Sequence, residues 1–189
     1  MVKLQIQGIQ SKAKLLASII LVIMGVGLIS YKPQTQRSSV NFSSEPVELK
    51  GFSDTDSSPD EIPNRIIIPN VNIDLEVQKS DIVNGFWEVP EISAGWGEGS
   101  GVPGKIGNQV IFAHAREGLF LPIRDVSIQD EIYVLTKDHW YAYKVVEIKE
   151  VTPDETQVIE PTDDQTLTLY TCSGFRDEKR LIVIAKPKR

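Results

Sequence analysis

The feature that most constrains this chain is a series of short apolar or alternating runs from Asn64 onward, each broken by turn-forming residues. Runs with a period of two are typical of β-strands, because successive side chains of a strand point to opposite faces. Eight short runs in about 125 residues favour an all-β fold, a closed or nearly closed barrel with mostly antiparallel neighbours. The predicted strands are Arg65–Pro69, Val71–Val77, Phe86–Pro90, Asn108–Ala115, Glu131–Lys137, Trp140–Val151, Gln165–Cys172 and Arg180–Lys186.

The segments between these runs contain no predicted helix of a dozen residues. Ser93–Gly107 is rich in glycine, so we predict a loop there, with Trp96 as its local anchor. Leu119–Val126 is long enough for one helical turn. Lys137 and Asp138 separate two predicted strands and indicate a hairpin turn.

An uncharged apolar run at residues 15–31 precedes this domain. As a helix it would be about 25 Å long, close to the ~30 Å hydrocarbon core of a bilayer. Residues 1–14 carry Lys3, Lys12 and Lys14 and no acidic side chain, which favours a tail that stays inside the cell. No A-x-A cleavage site follows the run, so we predict one uncleaved transmembrane helix. A cleaved signal peptide and a buried core helix are the alternatives.

Residues 32–61 are rich in Ser, Asp, Thr and Pro and poor in apolar side chains. Such a segment buries too little surface to offset the entropy lost on ordering, so we interpret it as a flexible stalk. Val47, Leu49 and Phe52 leave open a loop that wraps around the domain. The folded domain is therefore predicted to span residues 62–189.

Composition excludes several classes of protein. A single cysteine allows neither an intramolecular disulfide nor a cysteine-based zinc site, and His114 and His139 are the only histidines. The net charge is −6, and because residues 1–14 contribute +3, the remaining residues carry about −9. An acidic domain has no electrostatic footprint for nucleic acid, so we predict no nucleic-acid partner.

The only thiol in the chain lies at the end of a predicted strand. Leu167 and Leu169 share one face of that strand, so Cys172 falls on the opposite face, with Tyr170. Arg180 begins the next strand after a short connection, and in an antiparallel hairpin it should lie beside Cys172. A thiol needs a proton acceptor or a cation nearby to act as a nucleophile.

His114 also ends an apolar strand and is the histidine placed to supply that acceptor. Each of these residues alone has an ordinary interpretation: a satisfied histidine, a solvated arginine and an inert buried thiol. The combination of His114, Cys172 and Arg180 in this order indicates a nucleophilic site. His139 lies in the predicted hairpin turn and is given no catalytic role.

Leu169-Tyr170-Thr171-Cys172 matches the Leu-Xaa-Thr-Cys signature of the sortases, which a short loop and the arginine of the next strand follow. The upstream histidine, the N-terminal anchor and the eight strands are also similar to that family. The resemblance covers residues 64–187 and implies an eight-stranded sortase-like β-barrel with short helical turns. The short insertions resemble the compact class D or class E branches. Ala115 departs from the small polar residue or arginine that many members carry after the histidine.

The resemblance implies a membrane-anchored cysteine transpeptidase that cleaves an LPXTG-like sorting signal between Thr and Gly. The Cys172 thiolate would form a thioacyl intermediate, and His114 would exchange protons with the leaving and incoming amines. Arg180 would donate hydrogen bonds to the oxyanion or to the substrate backbone. Thr171 and Tyr170 are expected at the substrate and oxyanion site.

The same resemblance implies partners and a location. The substrates would be surface proteins with a C-terminal sorting signal, and the acceptor would be an amine of a cell-wall precursor or a pilin. The protein would span the cell membrane once, in a Gram-positive-type envelope, with its catalytic domain outside. No cofactor is implied. The acidic stretch Glu147–Asp164 lacks a fixed ligand spacing, so we interpret it as a solvated loop, with a calcium site as the alternative.

Other cysteine peptidases and a non-enzymatic binding module remain to be distinguished from a sortase-type enzyme. Papain-like peptidases place the cysteine before the histidine, and the caspase signature Q-A-C-x-G is missing from this sequence. A non-enzymatic, membrane-anchored extracellular β-barrel binding module is the main alternative to a sortase-type enzyme. Such a module would tolerate replacement of Cys172 without loss of function.

The anchor generates a prediction about topology. Because basic residues precede the apolar run, we expect protease added to intact cells to remove the folded domain and to leave about thirty N-terminal residues protected. Immunoblotting with tags at the two termini measures this. A domain that becomes accessible only after the cells are lysed would contradict the outside orientation.

Overall fold

The computed structural model describes residues 58, 60–173 and 178–188. The predicted segments 1–14 and 15–31, and all of 32–61 except Ser58, Asp60 and Glu61, lie outside the described residues. Within the described part of the chain, no helix has the length and apolar character needed to cross a membrane.

The described residues form ten β-strands and three short 3₁₀ helices. The helices are Pro69–Val71, Leu121–Asp125 and Thr156–Val158. The strands are β1 (Arg65–Ile68), β2 (Ile73–Ser80), β3 (Ile82–Val83), β4 (Phe86–Trp87), β5 (Ala94–Gly97), β6 (Gly107–Phe112), β7 (Glu131–Leu135), β8 (Trp140–Val151), β9 (Gln165–Ser173) and β10 (Lys179–Pro187).

Eight of these strands close into a barrel in the order β1-β2-β5-β6-β9-β10-β8-β7. Six of the eight neighbouring pairs are antiparallel, and the pairs β2–β5 and β6–β9 are parallel. The predicted all-β, eight-stranded barrel with short helical turns is therefore confirmed. The predicted turn at Lys137 and Asp138 is also confirmed, because the amide of Thr136 donates to the carbonyl oxygen of His139 (2.9 Å) across it.

The membership of the barrel differs from the prediction in one strand. The predicted strand Phe86–Pro90 is reduced to Phe86–Trp87, which pairs with β3 in a separate two-stranded sheet. The eighth barrel strand is instead β5, which lies inside the segment Ser93–Gly107 that was predicted to be a loop. Trp96 does anchor this segment: it is 1% exposed, and its indole donates to the carbonyl oxygen of Gly101.

Close packing explains why glycines occupy this strand. Ala94 and Trp96 belong to the barrel core, and Gly95 and Gly97 alternate with them on the other face. A Cβ at Gly97 would lie 2.5 Å from Cζ2 of Trp87, so that ring packs directly against the strand backbone. Glycine at these positions therefore indicates a close approach to a strand and not a loop.

The small sheet is a two-residue hairpin. Asn84 and Gly85, which join β3 to β4, both have positive φ angles, 54° and 84°. Asn-Gly is the preferred pair for such turns because both central residues must adopt this conformation. The hairpin places Trp87 over the outer face of the barrel, where its ring stacks on Phe112 at a centroid distance of 5.5 Å.

The two faces of the β6–β9–β10 region have different roles. Leu167 and Leu169 are fully buried and belong to the cluster inside the barrel, as their alternation predicted. The intervening side chains face outward and form a second cluster with covering segments. This outer cluster consists of Trp87, Val110, Phe112, Val151, Val158, Ile159 and Ile182, with Ile82, Tyr170 and Ile184 packed against it.

One buried asparagine fastens the segment after β8 to this outer face. The side-chain amide of Asn108 donates to the carbonyl oxygens of Val158 (3.1 Å) and Glu160 (3.0 Å). Its Oδ1 accepts a hydrogen bond from the Thr168 hydroxyl at 2.7 Å. The outer face is thus flanked by the β3–β4 hairpin on one side and by the 158–160 segment on the other.

The residues just before β1 contact the barrel. Ile62 packs against the core. Lys137 donates to the carboxylate of Asp60 at 2.8 Å, and Lys105 lies 2.6 Å from the carboxylate of Glu61. The predicted boundary between stalk and domain falls at this point and stays a prediction.

The packing of Trp87 on β5 can be tested at Gly97. We expect Gly97→Ala to lower the free energy of unfolding by about 1–3 kcal/mol, because the added methyl group must displace the Trp87 ring. Urea denaturation measures the change. The same substitution in a Trp87→Leu background should cost clearly less. An equal loss of unfolding free energy in both backgrounds would show that the effect of Gly97→Ala does not come from its contact with Trp87.

Candidate active site

A groove lies on the outer face of the barrel, at the end where β9 finishes and β10 begins. Its volume is about 520 Å³, within the range usual for sites that hold small ligands or peptide side chains. One wall is the β3–β4 hairpin with the residues after it, and Ile159 contributes on the other side. His114, Tyr170, Cys172 and Arg180 all line the groove. The structure therefore brings together four of the five predicted site residues.

The antiparallel pairing of β9 and β10 places the arginine. Cys172 is directly opposite Arg180 in the register, so the predicted neighbourhood of these two residues is confirmed. Residues opposite each other in an antiparallel pair project to the same face of the sheet. Cys172 is half-buried, on the outward face that the alternation of β9 predicted.

The parallel pairing of β6 and β9 places the histidine on the other side of Cys172. Phe112 is opposite Tyr170, and the amide of Ala113 continues the ladder by donating to the carbonyl oxygen of Tyr170 (3.4 Å). When the same register is continued two residues beyond Phe112 and Tyr170, His114 lies beside Cys172. The thiol is thus flanked by His114 along one neighbouring strand and by Arg180 along the other.

The backbone around His114 is held by several hydrogen bonds. The carbonyl oxygen of His114 accepts from the amides of Arg116 (3.0 Å) and Phe120 (3.1 Å). The hydroxyl of Thr171 donates to the carbonyl oxygen of Ala113 at 2.8 Å. Thr171 is only 3% exposed, and its side chain holds the strand that carries His114. The side chain therefore does not line the groove, where it had been expected.

A carboxylate near the imidazole was not predicted from the sequence. Oε1 of Glu91 lies 3.8 Å from Nε2 of His114, and Oε2 of Glu91 accepts a hydrogen bond from Arg116 at 3.1 Å. Among the described residues, Nε2 of His114 has no hydrogen-bond partner. Glu91 is thus a carboxylate neighbour of the imidazole that does not fix its orientation by a hydrogen bond.

Arg180 is 2% exposed, so the interpretation of this residue as a solvated strand-start arginine is wrong. Its Nε donates to the Tyr170 hydroxyl at 2.8 Å, and its Nη1 donates to the carbonyl oxygen of Lys179 at 3.0 Å. An arginine side chain stays charged in proteins. A buried guanidinium held in this way is a preorganised donor for a negatively charged or carbonyl oxygen.

Tyr170 lies between the aromatic floor of the groove and Arg180. Its ring packs against that of Phe112 in a T-shaped arrangement, with a centroid distance of 6.4 Å and an interplanar angle of 87°. Burial raises the pKa of Tyr170 above the ordinary value for a phenol, although Arg180 acts in the opposite direction. The hydroxyl is therefore neutral at physiological pH.

His139 lies away from the groove. It precedes Trp140 at the start of β8, whereas Val151 at the other end of β8 is the residue opposite Arg180. This placement agrees with the absence of a predicted catalytic role for His139.

Among the described residues, no group of three or more His, Cys, Asp or Glu side chains could hold a metal ion. In the acidic stretch, Glu147, Glu150 and Asp164 each pair with a lysine, and Glu155 accepts a hydrogen bond from the amide of Thr152. The solvated-loop interpretation stays a prediction, with a calcium site as its untested alternative.

The wall of the groove was not predicted from the sequence. Its residues come from Val83 to Glu91, a region in which only the strand Phe86–Pro90 had been predicted. The Asn84–Gly85 pair between apolar residues is a strong hairpin signal and would have located the β3–β4 hairpin. No comparable signal singles out Glu91.

Comparisons with known proteins agree with this geometry. The family model described as "Sortase domain" matches residues 66–188. The chain is 33% identical over 128 residues to a sortase A of Bacillus anthracis, an alignment that covers 64% of this chain and 57% of that protein. The chain spans between 51% and 65% of the length of the curated relatives it matches.

Solved structures are also similar. A lid mutant of sortase A from Corynebacterium diphtheriae superposes with a TM-score of 0.60 at 27% identity, covering 68% of this chain and 70% of that chain. A Clostridium perfringens sortase D5 transpeptidase gives a TM-score of 0.59 at 28% identity, covering 69% of this chain and 80% of that chain. Because the family model covers most of the folded domain, and well over half of the whole chain, this protein belongs to the sortase family.

Proposed function

We propose that this protein is a cysteine transpeptidase that cleaves an LPXTG-like sorting signal and transfers the product to an amine. The observation that carries the proposal is the position of Cys172, the only thiol in the chain, between His114 and Arg180 on two adjacent strands. All three residues line one groove that is accessible from the outer face of the barrel.

In the proposed reaction the Cys172 thiolate attacks the carbonyl carbon of the threonine in the sorting signal. The Thr–Gly amide bond breaks, and the departing glycine amine takes a proton from His114. A thioester between Cys172 and the threonine remains. The acceptor amine then attacks this thioester and gives its proton to His114, a new amide bond forms, and the thiolate is released.

Arg180 would stabilise the negative charge that develops on the carbonyl oxygen during both attacks. A donor that is already oriented in a site shielded from water stabilises such a charge more than solvent would. The burial of Arg180 and its bonds to Tyr170 and to the backbone support this role. The apolar groove floor, with Trp87, Phe112 and Tyr170, offers a surface for the apolar part of an extended peptide.

The further assignments rest on the sequence and on the family. The proposed substrates are surface proteins with a C-terminal sorting signal, and the acceptor is an amine of a cell-wall precursor or a pilin. The run at residues 15–31 supports a single-pass protein of the cell membrane with the domain outside. Short connections between strands support the compact class D or class E branch.

The catalytic assignment can be tested by substitution. We expect Cys172→Ala to abolish acylation by an LPXTG-type peptide, because no other thiol exists in the chain. His114→Ala should lower turnover by roughly 10²–10⁴-fold, the usual contribution of proton transfer. His139→Ala, which changes the other histidine, is the matched control and should leave turnover unaltered. Mass spectrometry of the acylated protein and peptide cleavage assays measure these effects.

Two results would contradict the proposal. Acylation of the Cys172→Ala variant would show that the thiol is not the nucleophile. Slow alkylation of Cys172 by iodoacetamide at neutral pH, unchanged by His114→Ala, would show an inert thiol and would favour the binding-module alternative.

Thr171 generates a separate prediction, because its hydroxyl holds the carbonyl oxygen next to His114. Thr171→Val keeps the size of the side chain but leaves that buried carbonyl without this partner. We expect a loss of about 1–3 kcal/mol in the free energy of unfolding and lower turnover. Thr171→Ser keeps the hydroxyl and should retain most of the stability and most of the turnover. If Thr171→Val has the same free energy of unfolding and the same turnover as the unaltered protein, this hydrogen bond supports neither stability nor activity.

A further inference from the structure

Tyr170 occupies the variable position of the Leu-Xaa-Thr-Cys signature and makes a contact with Arg180 that the signature does not require. Arg180 Nε donates to the Tyr170 hydroxyl at 2.8 Å. The two residues are not directly opposite, because Arg180 pairs with Cys172 and Tyr170 pairs with Ile182. They are diagonal neighbours on one face, a separation that only a long side chain such as tyrosine bridges.

The ring of Tyr170 is itself held in place. Phe112 packs its ring against that of Tyr170 at nearly a right angle, and Trp87 stacks on Phe112 with an interplanar angle of 15°. The groove floor is therefore an aromatic column that runs from the β3–β4 hairpin to the guanidinium of Arg180. A ring packed in this way against Phe112 has reduced freedom, which restrains the position of its hydroxyl.

Two hydrogen bonds fix a planar group more strongly than one. The guanidinium is held at Nε by Tyr170 and at Nη1 by the carbonyl oxygen of Lys179 (3.0 Å). With Nε and Nη1 both held, rotation of the plane about the side-chain axis is restrained. The directions of all its N–H bonds are then set before substrate binds, which is the condition for efficient stabilisation of a developing charge.

We propose that Tyr170 is a positioning residue whose hydroxyl sets the plane of the Arg180 guanidinium beside Cys172. The inference rests on the proposed function, because it concerns the arginine that would stabilise the oxyanion. It assigns a specific task to the variable residue of the signature in this chain. The hydroxyl accepts the Nε–H bond as a neutral phenol, so the interaction needs no change in the charge of either group.

The test is Tyr170→Phe, which removes the hydroxyl and keeps the ring and its packing on Phe112. Single-turnover acylation by a Leu-Pro-Glu-Thr-Gly peptide, followed by mass spectrometry, gives the rate of the first chemical step. We expect this rate at saturating peptide to fall about tenfold, as for the loss of one hydrogen bond to a charged group, with little change in the peptide concentration at half-saturation. Tyr141→Phe, which alters a tyrosine away from the groove, should have no effect.

A double-substitution cycle separates positioning from a general structural effect. Lysine cannot reproduce the planar fork of arginine, so Tyr170→Phe should cause little further loss in an Arg180→Lys background. Alkylation of Cys172 by iodoacetamide should proceed at the same rate in the unaltered protein and in Tyr170→Phe, because the nucleophile itself is unchanged. Unaltered acylation by Tyr170→Phe, or multiplicative losses in the double variant, would overturn the proposal.

The outcomes for Tyr170 and for the proposed function are distinguishable. If Cys172→Ala is inactive and Tyr170→Phe acylates normally, only the role of Tyr170 fails. If Cys172→Ala is acylated, or if the unaltered protein is acylated by no peptide in a panel that varies each position of the motif, the proposed function fails and the role of Tyr170 fails with it.

Discussion

The parallel pairing of β6 with β9 is the contact on which the site depends. It joins residues 58 positions apart in the chain. One example is the hydrogen bond from the Thr171 hydroxyl to the carbonyl oxygen of Ala113. Since β9 also pairs with β10, Cys172 lies between two neighbouring strands, one that leads to His114 and one that begins at Arg180. A slip of one residue in either register would turn a side chain to the opposite face of the barrel. The strand ladder therefore sets the relative positions of Cys172, His114 and Arg180, the proposed nucleophile, base and oxyanion donor.

Two segments pack against the outer face of these strands, and the groove lies between them. Asn108 holds the 158–160 segment on one side, and the β3–β4 hairpin packs Trp87 against Gly97 of β5 on the other. Arg180 is buried in this region, whereas Cys172 stays partly accessible. A buried donor beside an accessible thiol suits the acyl transfer that we propose.

Parts of the fold and of the site were predictable because they depend on local patterns. The alternation in β9 correctly assigned Leu167 to the core and Cys172 to the outer face, since the two-residue period of a strand is a property of the backbone. The hairpin adjacency of Cys172 and Arg180 followed from a short connection. The glycine-rich strand β5 was not predictable in this way, because its glycines respond to side chains from other elements, Gly97 to Trp87 and Gly95 to Phe112.

By itself, the sequence determined the strand-rich architecture, the single thiol and the candidate residues His114, Cys172 and Arg180. Only the tertiary structure decided that β6 lies beside β9, that Thr171 supports the histidine strand instead of lining the groove, and that Arg180 is buried against Tyr170. The physical reason is that strand alternation and short turns act over a few residues. Pairing between distant strands and the burial of a charge depend instead on how all the elements pack together.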